Sequence, residues 1–376
     1  MTRRLAIAGA GPIGLAAAAE ALDRGWDVTV FERGEIGSAL DRWGPVRCFT
    51  PLRMNLPPHL LAAVPEVDPD AYLTGPEMRK RVLEPLVART ALRDRVRTKH
   101  RVTAIGRRGL TRSDFPGHPL RAERPFVLQV DACGVERTFE ADVVFDATGG
   151  FALANAFGLG GLPARGERSV EAETLRDHAS LDAADLDGKR VLLVGHGHSA
   201  ANALHILGRK GAQVTWAVRT PNRRPCVEMS NDPLPERDST VARANELAAE
   251  PPAWLRVERR AVVIAVERGA DGLRVQLAGN REVVVDRIAS FTGFHPDSSH
   301  ITELPVEISP VTEGGARLYR AIANVTDCLS VPKVSPADLE SGEPGFYFIG
   351  SRSYGRARTF LLQAGLAQLE ALFARL

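Results

Sequence analysis

The sequence predicts an α/β fold with two Rossmann-like units in a single chain. Near the N-terminus, a short apolar strand is followed by a glycine-rich turn and an alanine-rich helix. The same order recurs near the middle of the chain, and a second apolar strand follows each copy. Strands that alternate with helices in this way indicate parallel sheets. A chain of 376 residues with 44% hydrophobic composition is long enough for two such domains.

The first unit begins with an apolar strand at residues 4–8, and its turn contains Gly9, Gly11 and Gly14. In a dinucleotide site, Gly9 permits the tight turn, Gly11 lets the backbone approach a pyrophosphate, and Gly14 lets the helix pack closely. The N-terminus of the helix offers free N–H groups to the phosphates. This spacing favours a dinucleotide site over a tight turn of an unrelated fold.

Glu32 ends the second strand of this unit, residues 27–31, at about the twenty-residue spacing that a dinucleotide site requires. Its carboxylate can accept hydrogen bonds from ribose hydroxyls, and its charge would repel a 2′-phosphate. The first site therefore suits FAD or NAD and disfavours NADP.

The second unit has its first strand at residues 188–194, and its turn contains Gly195, Gly197, Ser199 and Ala200. Alanine here replaces the third glycine of the pattern. Two nucleotide-binding units in one chain imply two dinucleotides.

Arg219 follows the second strand of this unit, residues 213–218, at the position that corresponds to the acid of the first unit. A guanidinium can bind a 2′-phosphate through two hydrogen bonds, and no acid is present to repel it. The second site is therefore predicted to prefer NADPH over NADH. Arg223 and Arg224 lie close behind, either as further phosphate ligands or as residues of a solvated loop.

The sequence offers little support for metal or dithiol chemistry. His196 and His198 lie within the second turn, with no third ligand nearby in sequence. The four cysteines are far apart and form no Cys-x-x-Cys pair: Cys48, Cys133, Cys226 and Cys328. We expect reduced thiols and no bound metal.

The charge and hydropathy of the chain limit the classes of partner that we expect. The formal net charge is +2, without a block of like charges, which makes nucleic acid a poor candidate. The N-terminus lacks the pattern of a signal peptide, and no apolar stretch is long enough to span a bilayer. We therefore expect a cytoplasmic protein whose partners are small molecules.

The rest of the chain predicts several further elements. Residues 74–92 have the pattern of an amphipathic helix, residues 101–105 that of a strand, and residues 126–139 that of a hairpin. Residues 221–252 combine repeated prolines with many charges, which predicts an irregular segment. That segment is either a lid over a substrate or a structural loop.

Taken together, these features resemble the flavoproteins with two dinucleotide-binding domains, a group that includes flavin-containing monooxygenases, N-hydroxylating monooxygenases and thioredoxin reductases. The resemblance spans nearly the whole chain. It rests on the two glycine-rich turns, on Asp146-Ala147-Thr148-Gly149, and on Phe346-Tyr347-Phe348-Ile349-Gly350. Residues 291–297 also resemble a segment of the monooxygenases, with Phe291 where those proteins have alanine.

The resemblance implies nested domains. An FAD-binding domain would comprise residues 1–165 and 300–376, and an NADPH-binding domain would comprise residues 166–299. Further contacts with FAD are implied for Arg47, Val102, Thr148, Gly149, Gly350, Ser351 and Leu361. The final helix, roughly residues 359–374, would point its N-terminus at the flavin and stabilise negative charge there.

In such flavoproteins NADPH reduces the flavin, and the residues around the ring decide what is reduced next. Residues 43–55 resemble the flavin-flanking stretch of the monooxygenases, which makes Asn55 a candidate for the reactive edge of the ring. Asn55 would bond an oxygenated flavin or fix the nicotinamide, or else it forms an Asx-type turn. Arg47 would face a phosphate, the flavin or an anionic substrate.

The leading hypothesis is an NADPH-dependent FAD monooxygenase that acts through a flavin hydroperoxide on the nitrogen, sulfur or ketone group of a small molecule. A dithiol reductase of the thioredoxin reductase type is disfavoured because the cysteine pair is missing. Two alternatives stay open: an NADPH-dependent oxidase or reductase without oxygen insertion, and a flavin redox sensor without turnover.

Overall fold

The computed structural model describes residues 2–325 and 327–376 of the chain. The strands are, in chain order, β1 (Arg4–Ala8), β2 (Asp27–Phe31), β3 (Val96–Arg97), β4 (His100–Arg107), β5 (Phe126–Ala132), β6 (Val135–Ala141), β7 (Val143–Asp146), β8 (Leu153–Ala154), β9 (Thr174–Leu175), β10 (Arg190–Val194), β11 (Gln213–Val218), β12 (Leu255–Arg259), β13 (Val263–Gly269), β14 (Gly272–Leu277), β15 (Arg281–Val285), β16 (Arg287–Ser290), β17 (Phe294–His295) and β18 (Phe346–Phe348). The α-helices are α1 (Pro12–Asp23), α2 (Pro58–Leu61), α3 (Gly75–Glu77), α4 (Glu84–Arg89), α5 (Leu120–Glu123), α6 (His178–Ala183), α7 (His198–Arg209), α8 (Pro235–Ala249), α9 (Ala316–Ile322), α10 (Ser351–Tyr354) and α11 (Leu362–Arg375).

Both ends of the chain contribute to the first parallel sheet, whose strand order is β18-β7-β1-β2-β3. Side chains alternate between its two faces, as the pleat requires. Leu5 and Ile7 of β1 face the helix layer of α1 and α11, whereas Ala6 faces the antiparallel sheet β4-β5-β6. Because both faces are covered, β1 is almost wholly buried, and its carboxyl end opens onto the turn that precedes α1.

The second parallel sheet has the order β12-β11-β10-β16-β9, and the antiparallel sheet β13-β14-β15 packs against it. Trp216 is the largest fully buried side chain in this unit, and its indole N–H donates to the carbonyl of Gly195 at 2.6 Å. That bond ties the buried core directly to the second glycine-rich turn.

The short antiparallel pair β8-β17 lies where the chain passes between the two sheets. The predicted α/β fold with two Rossmann-like units is confirmed. The boundaries near residues 165 and 300 remain a prediction, although the first sheet does take its last strand from the C-terminal part of the chain.

The helix predicted at residues 74–92 is interrupted. Thr74 caps its start in a reciprocal pair with Glu77, and a wider π-turn at Met78–Leu83 separates α3 from α4. Pro85 follows the π-turn and has no N–H to donate, which accounts for the change in hydrogen-bonding pattern at this point.

The prediction of an irregular segment at residues 221–252 was wrong for its second half, because residues 235–249 form α8, which packs on α7. Pro235 at the first helical position and the acids Glu236 and Asp238 in the first turn are favourable helix-start signals. The remaining part is anchored, since Asn245 bonds both the N–H and the carbonyl of Cys226 at 2.9 Å. In the described ranges, no helix combines the length and apolar character needed to cross a membrane.

Candidate active site

The first glycine-rich turn leaves open space where a pyrophosphate would lie. Gly9 has a φ of +108°, and a Cβ added there would lie 2.5 Å from the carbonyl oxygen of Ala147. A Cβ on Gly14 would collide with the carbonyl of Gly9, so α1 packs too closely for any side chain. By contrast, a Cβ on Gly11 would meet nothing within 4 Å, although Gly11 lines the cavity at the N-terminus of α1. These residues fit the pyrophosphate of a dinucleotide such as FAD.

Glu32 is buried at the end of β2 and braces the same turn. Its two carboxylate oxygens accept hydrogen bonds from the N–H groups of Ala10 and Gly34, each at 2.9 Å. Each oxygen retains a further lone pair, and Glu32 lines the cavity. The carboxylate can therefore hold the turn and receive ribose hydroxyls at the same time.

The second turn repeats this geometry. Gly195 has a φ of +118°, and a Cβ there would collide with the carbonyl of Phe291. A Cβ on Gly197 would meet nothing within 4 Å, at the N-terminus of the 12-residue helix α7. Ala200, at the third position, is fully buried, so a methyl group is accommodated where the first unit needs glycine.

The basic residues after β11 have different surroundings. Arg219 is exposed, and no described residue forms an ion pair with it. Burial, with the charges of Arg219 and Arg358, lowers the pKa of His196 in the second turn. Arg223 is instead turned toward the end of α8, where it donates to the carbonyl of Ala249 at 3.1 Å and lies 3.7 Å from Glu250. The solvated-loop interpretation suits Arg223 better than phosphate binding does.

A cavity of about 510 Å³ is lined by residues of both units. The predicted site residues on its wall are Gly9, Gly11, Gly14, Glu32, Arg47, Asn55, Val102, Thr148, Gly149, Ser199, Gly350, Ser351 and Leu361. The predicted residues that do not line it are Gly195, Gly197, Ala200, Arg219 and Arg223. The second unit reaches the cavity at the start of α7, and also through residues beside α6 and after β16, among them Asp177, His178 and Phe291.

The two units contact each other closely at this cavity. Gly44 has a φ of +53°, and a Cβ there would lie 2.9 Å from the backbone of Ala179 in α6. Arg42 donates to Asp177 at 3.2 Å, directly before α6. The ring of Phe49 packs edge-on against His198, with 5.5 Å between ring centroids. The start of α7 is thereby held against the loop that follows β2.

Asn55 is 1% exposed, and its amide is partly committed to the loop that contains it. Thr50 donates its hydroxyl hydrogen to Asn55 Oδ1 at 2.8 Å, and Asn55 Nδ2 donates to the carbonyl of Thr50 at 3.3 Å. The structural role and the cavity-facing role therefore occur together. Arg47 is exposed at the cavity wall and forms a backbone bridge with Thr74.

Cys48 is the only cysteine among the described residues that line the cavity, and burial raises the pKa of its thiol to about 12. Cys226 is buried in the core of the second unit, where burial likewise raises its pKa to about 12. Cys133 is exposed beside the β5-β6 turn, and Cys328 contacts Arg237. All four thiols are free in the described structure.

A buried charge cluster behind the first turn was not predicted. Asp146 is fully buried at the end of β7 and accepts hydrogen bonds from Arg352 at 2.9 Å and His300 at 3.1 Å. Its other oxygen accepts from the hydroxyl of Thr148 at 2.6 Å and from its N–H at 3.1 Å. Burial acts to raise the pKa of Asp146, but His300 and Arg352 outweigh it and hold the pKa well below its usual range.

The C-terminal segment closes the cavity from the opposite side. Gly350 has a φ of +62°, and its N–H donates to Gln368 of α11 at 2.9 Å. Ser351 accepts from the N–H of Gly150 at 3.2 Å. The final helix begins at Leu362, three residues later than predicted, and Leu361 precedes it at the cavity wall. The N-terminus of α11 therefore points toward the cavity.

Sequence reasoning missed His300 and Arg352. Each is distant in sequence from the group it serves: 154 residues separate His300 from Asp146, and 206 separate Arg352 from it. No motif contains them. Only His300 offered a signal, because a histidine closely follows the monooxygenase-like segment at residues 291–297.

Several solved structures are similar to this chain along its whole length. The bacillithiol disulfide reductase of Bacillus cereus superposes with a TM-score of 0.67 at 20% identity, covering 100% of both chains. The thioredoxin reductase of T. acidophilum has a TM-score of 0.62 at 17% identity, covering 99% of this chain and 98% of its own. The ornithine hydroxylase of Pseudomonas aeruginosa has a TM-score of 0.67 at 12% identity, covering 100% and 98%. At these identities the similarity establishes the fold.

No curated protein matches the sequence. The pyridine nucleotide-disulphide oxidoreductase family matches residues 126–320, just over half of the chain. The matched part contains the second glycine-rich turn and the strands on both sides of it. The chain therefore belongs to the pyridine nucleotide-disulphide oxidoreductase family, a family of FAD-dependent oxidoreductases.

Proposed function

We propose that the protein is an NADPH-dependent FAD monooxygenase that oxygenates a small molecule. The proposal rests on one cavity that is lined by both units. Among the described residues on its wall, Cys48 is the only cysteine. When bound, FAD supplies hydride acceptance from NADPH and electron transfer to oxygen. A dithiol relay would need a second cysteine beside Cys48, and the other thiols lie outside the cavity wall.

Three groups of residues would hold FAD. The N–H groups at the start of α1, above Gly11, would bind the pyrophosphate, and Glu32 would accept the ribose hydroxyls. At the other end, the N-terminus of α11 beside Leu361 would place a partial positive charge near the ring. Thr148 and Gly149 would contact the cofactor from the end of β7.

The pyridine dinucleotide would bind at the second turn. Gly197 leaves room for its pyrophosphate at the N-terminus of α7, and Arg219 offers the 2′-phosphate a guanidinium that forms no ion pair with any described residue. Because the guanidinium of Arg219 can pair with a 2′-phosphate, we assign NADPH as the preferred dinucleotide over NADH.

The substrate side of the cavity has an aromatic wall that includes Trp43, Phe49 and Phe291. Apolar rings exclude water, so an oxygen-reactive centre beside them is protected from bulk solvent. Within this wall, the amide of Asn55 would orient the nicotinamide or an oxygen-bearing group. Asn55→Ala should therefore retain FAD while lowering the product formed per NADPH consumed.

Stoichiometry tests the proposal. NADPH oxidation, oxygen consumption, hydrogen peroxide release and product formation are measured together against a panel of amines, sulfides and ketones. Product formed in a one-to-one ratio with NADPH and oxygen supports a monooxygenase. Hydrogen peroxide in that ratio, with every substrate, would identify an oxidase, and NADPH use without oxygen would identify a reductase.

A second candidate, favoured by the thiol of Cys48 in the cavity, is reduction of a small-molecule disulfide. The bacillithiol disulfide reductase of similar fold makes this comparison relevant. The raised pKa of Cys48 opposes it, because a thiolate is the reactive form. Cys48→Ser decides the question: disulfide-dependent NADPH oxidation that is abolished in the variant would support the second candidate, whereas unchanged oxygenation would exclude a role for the thiol.

A further inference from the structure

The buried cluster at the end of β7 leaves one polar atom without a partner. Asp146 is fully buried, and all four lone-pair positions of its carboxylate are used, two by Thr148, one by His300 and one by Arg352. Arg352 is likewise satisfied, since its other nitrogens donate to the carbonyl of Glu313 and the hydroxyl of Ser298. Asp146 therefore has no bonding capacity left for a ligand, and Arg352 is fully buried and does not line the cavity.

His300 differs from both. It is 6% exposed, and its Nε2 is bound to Asp146, but Nδ1 makes no hydrogen bond with any described residue. Nδ1 is not sealed from solvent, and His300 lines the cavity. The ring of His300 therefore lies on the cavity wall with one nitrogen that is unpaired among the described residues and not sealed from solvent.

The cluster also defines what Nδ1 can do. The carboxylate of Asp146 only accepts, so Nε2 must carry the hydrogen that joins the two groups. Whenever the imidazole is neutral, Nδ1 is an acceptor, and its natural partner is a hydroxyl group. Ile301 and Leu304 anchor the segment in the core under β4-β5-β6, which fixes the position of the ring.

We propose that His300 is an FAD-binding residue whose Nδ1 accepts a hydrogen bond from a sugar hydroxyl of the cofactor. Val102 and Glu32 lie on the wall of the same cavity, and the 3₁₀ turn Ser299–Ile301 packs on β4, which carries Val102. The hydroxyl belongs either to the adenosine ribose or to the ribityl chain. This inference rests on FAD binding and is independent of the proposed reaction with oxygen.

Two substitutions separate the nitrogens of the ring. His300→Gln retains a terminal amide that reaches Asp146 in the manner of Nε2 but removes the acceptor at Nδ1. His300→Asn retains a polar group at the Nδ1 position and loses the bond to Asp146. His205→Gln is the matched control, because its Nε2 is bonded to the carbonyl of Thr240 while its Nδ1 has no partner, in α7 and away from the cavity wall.

Apoprotein of each variant is titrated with FAD, and flavin fluorescence gives Kd, while thermal unfolding without cofactor checks the fold. We expect His300→Gln to raise the Kd for FAD about tenfold, as loss of one hydrogen bond does, with the apoprotein Tm preserved. His300→Asn and His205→Gln should stay within about threefold of wild type. An unchanged Kd for FAD in folded His300→Gln would overturn the assignment. A rise of about tenfold in the Kd of folded His300→Asn would overturn it as well, so each variant is a sufficient test.

Competition with ADP and titration with FMN then locate the hydroxyl in His300→Gln. Weaker ADP binding assigns the contact to the ribose, and weaker FMN binding assigns it to the ribityl chain. If wild-type protein binds FAD but inserts no oxygen, the proposed function fails while this inference stands. If wild type oxygenates its substrate and His300→Gln binds FAD, ADP and FMN normally, only this inference fails.

Discussion

Replacing Gly11 with alanine should separate cofactor binding from folding. Gly11 has a φ of −80° and a ψ of 179°, which alanine adopts freely, and the added Cβ meets nothing within 4 Å. Alanine is a poorer N-cap than glycine, but it also reduces the entropy of the unfolded chain. We expect the two effects to leave the free energy of unfolding of the apoprotein within about 1 kcal/mol of wild type.

The same methyl group lies in the space left for the pyrophosphate above α1. Displacing a phosphate from one backbone N–H loses a charge-assisted hydrogen bond of roughly 1.5–3 kcal/mol, which corresponds to a Kd for FAD about 10- to 100-fold higher. Gly9→Ala is the contrasting variant. Its φ of +108° and the 2.5 Å approach to Ala147 predict a loss of about 2–4 kcal/mol in the apoprotein itself.

Urea unfolding of the two apoproteins and fluorescence titration with FAD measure these effects separately. The reasoning is refuted if Gly11→Ala binds FAD as wild type does, or if Gly9→Ala is as stable as wild type. In either case the open space above Gly11 and the closed space at Gly9 would not have the roles assigned to them.

Three further predictions concern charged residues. Asp146→Asn should destabilise the apoprotein by about 3–5 kcal/mol at neutral pH, since it leaves the buried Arg352 without its counter-charge. Because the folded pKa of Asp146 is lowered, its contribution is fully present above the ordinary value of about 4 and is lost as the pH falls toward the folded pKa. Urea midpoints of wild type and variant should therefore converge only in acid, and convergence near pH 6 would contradict this. Arg219→Ala should raise the KM for NADPH about tenfold and leave that for NADH unchanged, as steady-state kinetics will show; equal changes would remove the 2′-phosphate assignment. Arg42→Ala removes the contacts to Asp177 and to the carbonyl of Phe151, and limited proteolysis of the apoprotein should then cleave near residue 151 faster, with Arg24→Ala as an exposed control.

Local patterns predicted much of this molecule. The turns at Gly9 and Gly195 were predictable because residues adjacent in sequence determine their conformation. The strands that flank them are continuous apolar runs. Helix α8 was missed because its polar composition outweighed a valid start signal at Pro235. Its buried face contains few large apolar residues, among them Val241, so hydrophobic periodicity is weak there.

Long-range pairings were not predictable from the single sequence. Asp146 meets Arg352 and His300 only because β7, β18 and the segment after β17 converge at one edge of the sheet. Conversely, Arg223 had the expected residue type and approximate position, but its side chain is engaged by the end of α8. Residue type and spacing identify candidates, and tertiary packing selects among them.

The contribution of both chain ends to the first sheet has a consequence for synthesis on the ribosome. The strands of the second sheet, from Thr174 to Ser290, have all emerged before β18 is translated. During that interval β7 has no partner on its outer side, and a bare strand edge is a template for wrong pairing. The N-terminal sheet, although its first strands are made first, can therefore be completed only after all strands of the second sheet have emerged.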